Sequence, residues 1–344
     1  MIVIDGKEAG GQILRSSLGL SAITGKPIKV INIRGARAER GLKTQHLEGV
    51  LAVAQLCDAE VKGASLGSRE IEFIPKKVEA KELNIVIKTA GSIGLLFQSL
   101  QIASAFASNI VKINIKGGST ASSWSPTIHY IQNVFLPIVR KMGYNAEIKI
   151  VQEAFYPKGG AIVNINVYPV KKLNPIQLVE RGKVRAIRGV SVVGSLPKHV
   201  LERQTNAAIK TLKEYGFDDI RISSQLVNTY SPGTSITLWA ECENSIFGAD
   251  NIGKRGVRAE EVGRTASLEL IEAINSGATV DKWMSDQCLP FLVLAEGKSV
   301  IKAPELTEHA RTNLEVLKHF FNFEYRIFGE KPVTIEISGI GFER

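Results

Sequence analysis

Short runs in which apolar and polar residues alternate are separated by segments with apolar residues at helical spacing, and the order of these elements repeats along the chain. Residues 2–4 read as a strand, and residues 13–24 as a helix closed by Gly25 and Pro27. A strand over 28–33, a basic loop, a helix over 44–57 and two alternating segments ending near Phe73 and Ile74 complete a βαβαββ unit. The order then recurs as strand 84–88, turn 89–92, helix to 106, strand 111–115, helix 129–142 and strands 145–151 and 161–167. The run INIRG at 31–35 returns as INIKG at 113–117, which marks an internal repeat.

A histidine sits near the start of the second helix of each unit: His46, His129 and His309. The first two are 83 residues apart and the last two 180. Units of equal length then require an insert of about a hundred residues, enough for a small domain. The candidate is 183–277, which has its own alternation: strand 186–193, helix 198–215, strands 220–226 and 235–240, helix 258–275. After it come helix 282–295, a strand around Val300, the His309 helix and strands 323–328 and 333–338. The expected class is α/β: a body of three βαβαββ repeats, residues 1–182 and 278–344, with a small α/β insert, 183–277, before the third repeat.

The His309 helix carries the stripe Leu306, Ala310, Leu314, Leu317 and Phe321, with Thr307 in position to cap it. That cap puts His309 in the first turn, where free N–H groups and the dipole favour an anion and keep imidazole neutral. Such a histidine suits nucleophilic attack on a phosphate, and it equally suits packing at a helix start. Glu8, Gly10, Gly11 and Arg15 open the first helix with a carboxylate, close backbone approach and a cation, a set that fits a nucleoside triphosphate with a divalent metal. A tight strand-to-helix turn would use the same glycines. Arg34, Arg37, Arg40 and Lys43 form either a phosphate-binding loop or a solvated basic one. Trp283 and Asp286 lie one turn apart on a helix, suited to a base and its polar edge or to ordinary packing.

Composition narrows the field. The 344 residues carry a net charge of +9 spread along the chain, which is compatible with an anionic partner. Three cysteines, Cys57, Cys242 and Cys288, match no metal spacing and imply a reducing compartment. No apolar run reaches the roughly 20 residues of a membrane span, so the chain is expected to be soluble and cytoplasmic, as a monomer or homodimer, without a membrane partner.

Several stretches, in order, resemble the RNA 3′-terminal phosphate cyclase family: EAGGQILRS from Glu8, IRGAR from Ile33, GLKTQHL from Gly41, TAGSIG from Thr89 with Gln98, FYPKGG from Phe155, GKR from Gly253, and SDQ from Ser285 with Pro290. The resemblance covers essentially the whole chain. It implies repeats similar to the C-terminal domain of translation initiation factor 3, and ATP-dependent conversion of an RNA 3′-phosphate to a 2′,3′-cyclic phosphate through a histidine–AMP adduct and an adenylated RNA end. It implies His309 as nucleophile; Arg15, Gln98, Pro126, Tyr156, Trp283, Asp286 and Gln287 at the ATP site; Arg34, Arg37 and Gln45 on substrate phosphate; and Glu8 on magnesium or manganese. The partner implied is RNA with a 3′-phosphate end. The chain departs from the family pattern at Arg40, at Glu153 and Ala154 where a basic residue and glycine are usual, at Ala161 in place of a glycine, and at His129 in place of an acid. A branch of the same fold that assists ribosome assembly without turnover lacks the nucleophile. Binding of ribosomal RNA without catalysis is therefore the alternative.

Overall fold

The computed structural model describes residues 1–8 and 10–343. The first unit comprises β1 (Ile2–Asp5), α1 (Gln12–Thr24), β2 (Ile28–Ile31), α2 (Thr44–Cys57), β3 (Glu60–Lys62) and β4 (Ile71–Ile74). The second comprises β5 (Glu82–Ser92), α3 (Ile93–Ala105), β6 (Val111–Ser119), α4 (Ile128–Tyr130), a π-helical turn (Ile131–Phe135), α5 (Leu136–Arg140), β7 (Asn145–Gln152) and β8 (Ile162–Tyr168). Next come β9 (Val184–Gly194), α6 (Lys198–Glu214), β10 (Ile220–Val227), β11 (Gly233–Cys242), β12 (Ile246–Ile252) and α7 (Ala259–Asn275). The chain ends with α8 (Lys282–Leu294), β13 (Glu296–Ala303), α9 (Glu308–Phe320), β14 (Glu324–Phe328) and β15 (Val333–Ile340). The protein is of the α/β class.

Two sheets share one plan, β1-β2-β4-β3 and β5-β6-β8-β7, each with a parallel first pair and antiparallel pairs after it. The alternating burial of β5, β7 and β8 shows why these segments are strands: one face meets the helices and the other meets water. α3 is buried nearly all round, and α1 packs against α3 and α9. Gly19 permits that approach, because a methyl group there would lie 3.3 Å from Ile102 Cβ. The third sheet is β13-β15-β14. Gln177 adds a parallel bridge to Val300, the place that β1 and β5 hold in the other two sheets. Residues 184–275 lie in the chain between these two bridged residues.

Residues 184–275 build a separate sheet, β10-β9-β11-β12, covered by α6 and α7 around their own apolar cluster. β12 was not expected, since Gly248, Asp250 and Asn251 interrupt any apolar alternation. Other boundaries also moved. β2 ends at Ile31 because Asn32 turns left-handed, at φ 52°. The stretch 89–92, read as a turn, is the bulged end of β5, where the pairing with β6 shifts register between Ile87 and Ser92. The helix expected over 129–142 contains the π turn: Leu136 N–H reaches back to Ile131 O, and the following Pro137 has no N–H with which to resume the α-helical ladder. No helix among the described residues is long and apolar enough to cross a membrane.

Candidate active site

The start of α9 is fixed by Thr307, whose hydroxyl accepts from Ala310 N at 3.0 Å and donates to Asp286 Oδ1. Asn313 Nδ2 donates to Asp286 O at 2.9 Å, and Ser16 Oγ donates to Asn313 Oδ1 at 2.6 Å. These bonds join α9 to α8 and α1, so His309 is held in the first turn as its sequence implied. Its Nδ1 is buried without a hydrogen-bond partner among the described residues, leaving Nε2 as the nitrogen open to the cavity it lines. Burial, then the charges of Arg15 and Arg37, lower the His309 pKa below the usual imidazole value. The ring is therefore neutral at pH 7, with a lone pair available.

Arg15 lies deeper. Its Nε donates to Gln98 Oε1 at 3.0 Å and its Nη2 to Gln12 Oε1 at 2.8 Å. Gln98 Nε2 in turn donates to Gln287 Oε1 at 3.0 Å, and Gln287 Nε2 to Trp283 O at 3.1 Å. The network crosses α1, α3 and α8 using carboxamides only, so the guanidinium meets no carboxylate among its hydrogen-bond partners. Burial pulls its pKa down to about 10, which leaves it cationic at neutral pH. A half-buried cation without a counter-ion among the described residues, lining a cavity, is a ready partner for an anion.

Gly10 and Gly11 are glycines for steric reasons. Gly10 has φ 59° with the Arg37 guanidinium against it, and a methyl group on Gly11 would stand 2.3 Å from His46 Nε2 and 2.9 Å from Arg15 Nη1. His46 Nδ1 accepts from Lys43 N at 3.3 Å. Burial, then Arg15, Arg34 and Lys43, push its pKa down to about 3, so it too is neutral.

Arg15, Arg37, Gln98, Pro126, Trp283, Asp286, Gln287 and His309, all expected site residues, line one cavity of about 390 Å3. Four other expected residues do not line it. Glu8 is exposed on the β1–α1 turn. Arg34 Nη1 donates to Gly41 O at 3.1 Å. Gln45 Oε1 accepts from Ser92 N at 2.9 Å, and its Nε2 has no hydrogen-bond partner among the described residues. Tyr156 is 76% exposed. Sequence reasoning missed Trp124, on the cavity rim and 96% exposed, and the wall made by Asp250, Lys254 and Glu269 from the 184–275 segment. Lys254 lies in the GKR stretch that resembles the family, but nothing local marks Trp124, Asp250 or Glu269 as cavity residues.

Asp281 fixes the docking of that segment on α4 and α8. It caps α8 through Trp283 N and Met284 N, at 3.0 and 2.9 Å, accepts from Tyr130 Oη at 2.7 Å and from Gly248 N at 2.9 Å. Its near neighbour Asp286 is raised to about pKa 7, chiefly by burial. Folding thus holds its proton to higher pH than the unfolded chain does, and stability falls as pH rises from about 4 to 7, by roughly 1.4 kcal/mol per unit at most. Asp286→Asn is expected to remove this slope: the variant should gain thermal stability relative to wild type at pH 8 and not at pH 4, as read by calorimetry.

Two of the departures from the family pattern meet each other. His129 Nε2 and Glu153 Oε1 are 2.7 Å apart, both side chains are buried, and Thr120 Oγ1 donates to the other carboxylate oxygen. The histidine in place of an acid is thus matched by an acid in place of a basic residue. Ala154 and Ala161 are fully buried, so their methyl groups fill core space.

A family model described as RNA 3′-terminal phosphate cyclase matches residues 6–327. The RNA 3′-terminal phosphate cyclase of Pyrococcus abyssi is 43% identical over 98% of this chain and 98% of its own length. Those of Pyrococcus furiosus and Ignicoccus hospitalis are 44% and 41% identical, over 96% and 100% of both chains. Among solved structures, the enolpyruvyl transferase NikO from Streptomyces tendae aligns with 98% of this chain and 81% of its own at 9% identity and a TM-score of 0.28, too distant to bear on fold or activity. Identity at this level over nearly every residue, with the matched motifs converging on one cavity, establishes that the chain belongs to the RNA 3′-terminal phosphate cyclase family.

Proposed function

We propose that this protein converts an RNA 3′-terminal phosphate to a 2′,3′-cyclic phosphate at the expense of ATP, with His309 as the covalent nucleophile. The observation that carries this is the neutral, first-turn His309 beside the unneutralised Arg15 in a cavity that also holds Trp283 and Asp286. His309 Nε2 attacks the ATP α-phosphorus; a P–N bond forms and the bond to pyrophosphate breaks. An oxygen of the RNA 3′-phosphate next attacks that phosphorus, breaking the P–N bond and carrying AMP to the RNA end. The vicinal 2′-hydroxyl then attacks the 3′-phosphorus, releasing AMP and a proton. Covalent catalysis divides one difficult displacement into easier ones.

Within this scheme Arg15 and the free amides at the start of α9 receive the α-phosphate charge. Trp283 offers a face to the adenine, with Asp286 and Gln287 beside it. Arg34, Arg37 and Gln45 Nε2 are the contacts for the RNA phosphate. Glu8, exposed and without a hydrogen bond among the described residues, fits a magnesium or manganese ion that would share its coordination with substrate phosphates and polarise the leaving pyrophosphate. Binding of ribosomal RNA without turnover would leave the Nε2 lone pair of the neutral His309, set beside the Arg15 cation, without a use. Incubation with ATP and magnesium, followed by mass spectrometry of the intact chain, is expected to reveal one added AMP and free pyrophosphate. An unmodified chain under saturating ATP would leave the binding role standing.

On this proposal residues 1–182 and 278–344 form the catalytic body and 183–277 an inserted domain. Its separate sheet and apolar cluster support the division, as does the closeness of its two ends: Thr279 Oγ1 donates to Leu178 O at 2.7 Å. A chain lacking 183–277, rejoined by a short linker, is expected to be soluble and folded by circular dichroism; an unfolded product would mean that the body cannot form without it.

A further inference from the structure

Outside the His309 cavity, a recess lies between the second unit and the 184–275 segment. It has a volume of about 550 Å3 and is walled by β7 on one side and β10 on the other. Both are edge strands of their sheets. Five carboxamides line it, Gln132, Asn133, Gln152, Gln225 and Asn228; Asn133 Nδ2 donates to His129 O at 2.8 Å, and the side chains of the other four make no hydrogen bond among the described residues. A free carboxamide presents a donor beside an acceptor, the pattern that pairs with the edges of unstacked nucleobases.

The recess adjoins the active site. His129 lines the recess while Tyr130, the next residue, lines the His309 cavity, so only the start of α4 separates them. At the same end, the turn after β7 carries Tyr156, and Tyr230 lies across it from the β10–β11 loop. A methyl group on Gly160 would come within 2.3 Å of the Tyr230 ring, and Lys158 N donates to Ser231 Oγ at 2.9 Å. Tyr230, 66% exposed, thus rests on the glycine backbone of the turn that also carries Lys158 and the 76% exposed Tyr156. Gly159 of the same turn packs on Gly118 O and Thr89 O, close to the loop that rims the cavity. Two large aromatic side chains left in water beside a cation make a stacking platform for single-stranded nucleic acid.

We infer that this seam holds the RNA strand upstream of its 3′ end, with Tyr156 and Tyr230 stacking on bases and the carboxamides of the recess engaging base edges. The inference rests on the RNA-end substrate proposed above and assigns Tyr156 to RNA, in place of the ATP contact implied by the family resemblance. Affinity then has two separable parts: the terminal phosphate held in the cavity, and strand contacts that only a longer RNA reaches.

The test is fluorescence anisotropy with labelled RNAs ending in 3′-phosphate, one a dinucleotide and one of about ten nucleotides, against wild type, Tyr230→Ala, Tyr230→Phe and Gln225→Ala. Loss of one stacked base is expected to weaken the longer RNA about tenfold in Tyr230→Ala and to leave the dinucleotide unchanged. Tyr230→Phe should retain affinity, and Gln225→Ala should weaken the longer RNA alone. AMP-adduct formation from ATP should match wild type in all three variants, which also reports that they are folded. Equal affinity of the wild-type protein for the two RNAs, or equal losses on both in the variants, would overturn the inference and leave the recess to a peptide strand on its open edges. Failure of the wild-type protein to form the AMP adduct would instead overturn the cyclase proposal, whatever the length dependence.

Discussion

His309→Ala is expected to eliminate the AMP adduct and to lower RNA cyclisation by roughly four orders of magnitude or more, since no other group supplies the attacking lone pair. His309 lines the cavity with Arg15 and Trp283, whereas His319, at the opposite end of α9, is exposed. His319→Ala should therefore retain the full adduct. The bond formed on wild type should be a phosphoramidate, lost in acid and kept in alkali, as distinct from an acyl phosphate on a carboxylate. Burial and the charges of Arg15 and Arg37 lower the His309 pKa. Its neutral form, and with it adduct formation, should thus persist to lower pH than a solvent-exposed imidazole would allow. Mapping the adduct by peptide mass spectrometry to any residue other than His309 would remove the proposed chemistry.

Arg15→Ala carries the second large effect. The guanidinium is half-buried and cationic, and among the described residues its hydrogen bonds go to the carboxamides of Gln12 and Gln98. Its removal should slow adenylation by about 10²–10³, the range seen when a preorganised donor to developing charge is deleted. It should also raise the His309 pKa, because Arg15 is one cause of its depression. The acid limb of the rate profile should therefore shift to higher pH. Arg15→Lys keeps a charge and loses the planar fork, so an intermediate rate is expected. Thermal stability should not fall in Arg15→Ala by the 3–5 kcal/mol typical of breaking a buried ion pair, since this cation has no ionic partner to strand. A large loss of melting temperature with an unshifted rate profile would make Arg15 a structural residue instead.

The histidine at the start of α9 was legible because capping is local: Thr307 and the apolar stripe after it decide the helix start whatever packs around them. The same holds for the stop at Gly25, whose φ of 69° few residues adopt without strain, and for the four-strand units, whose alternation reflects one wet and one dry face. β12 was not legible. Its Gly248 lets the strand press against Tyr130 and Val134, and its Asp250 Oδ2 accepts from Thr127 N at 2.9 Å, so its pattern answers to another part of the chain. The pairing of His129 with Glu153 was likewise hidden, each residue departing from the family pattern alone and making sense only against the other.

Sequence by itself determined the α/β class and the place of a histidine in a helix first turn, because strand alternation, helix periodicity and end-capping are properties of contiguous residues. Tertiary structure decided that Arg15 bonds Gln98, that Gln98 bonds Gln287, and that the 184–275 segment closes the cavity wall. Those contacts join residues far apart in sequence, and a carboxamide shows no sequence signal for the partner that packing brings within 3.0 Å of it.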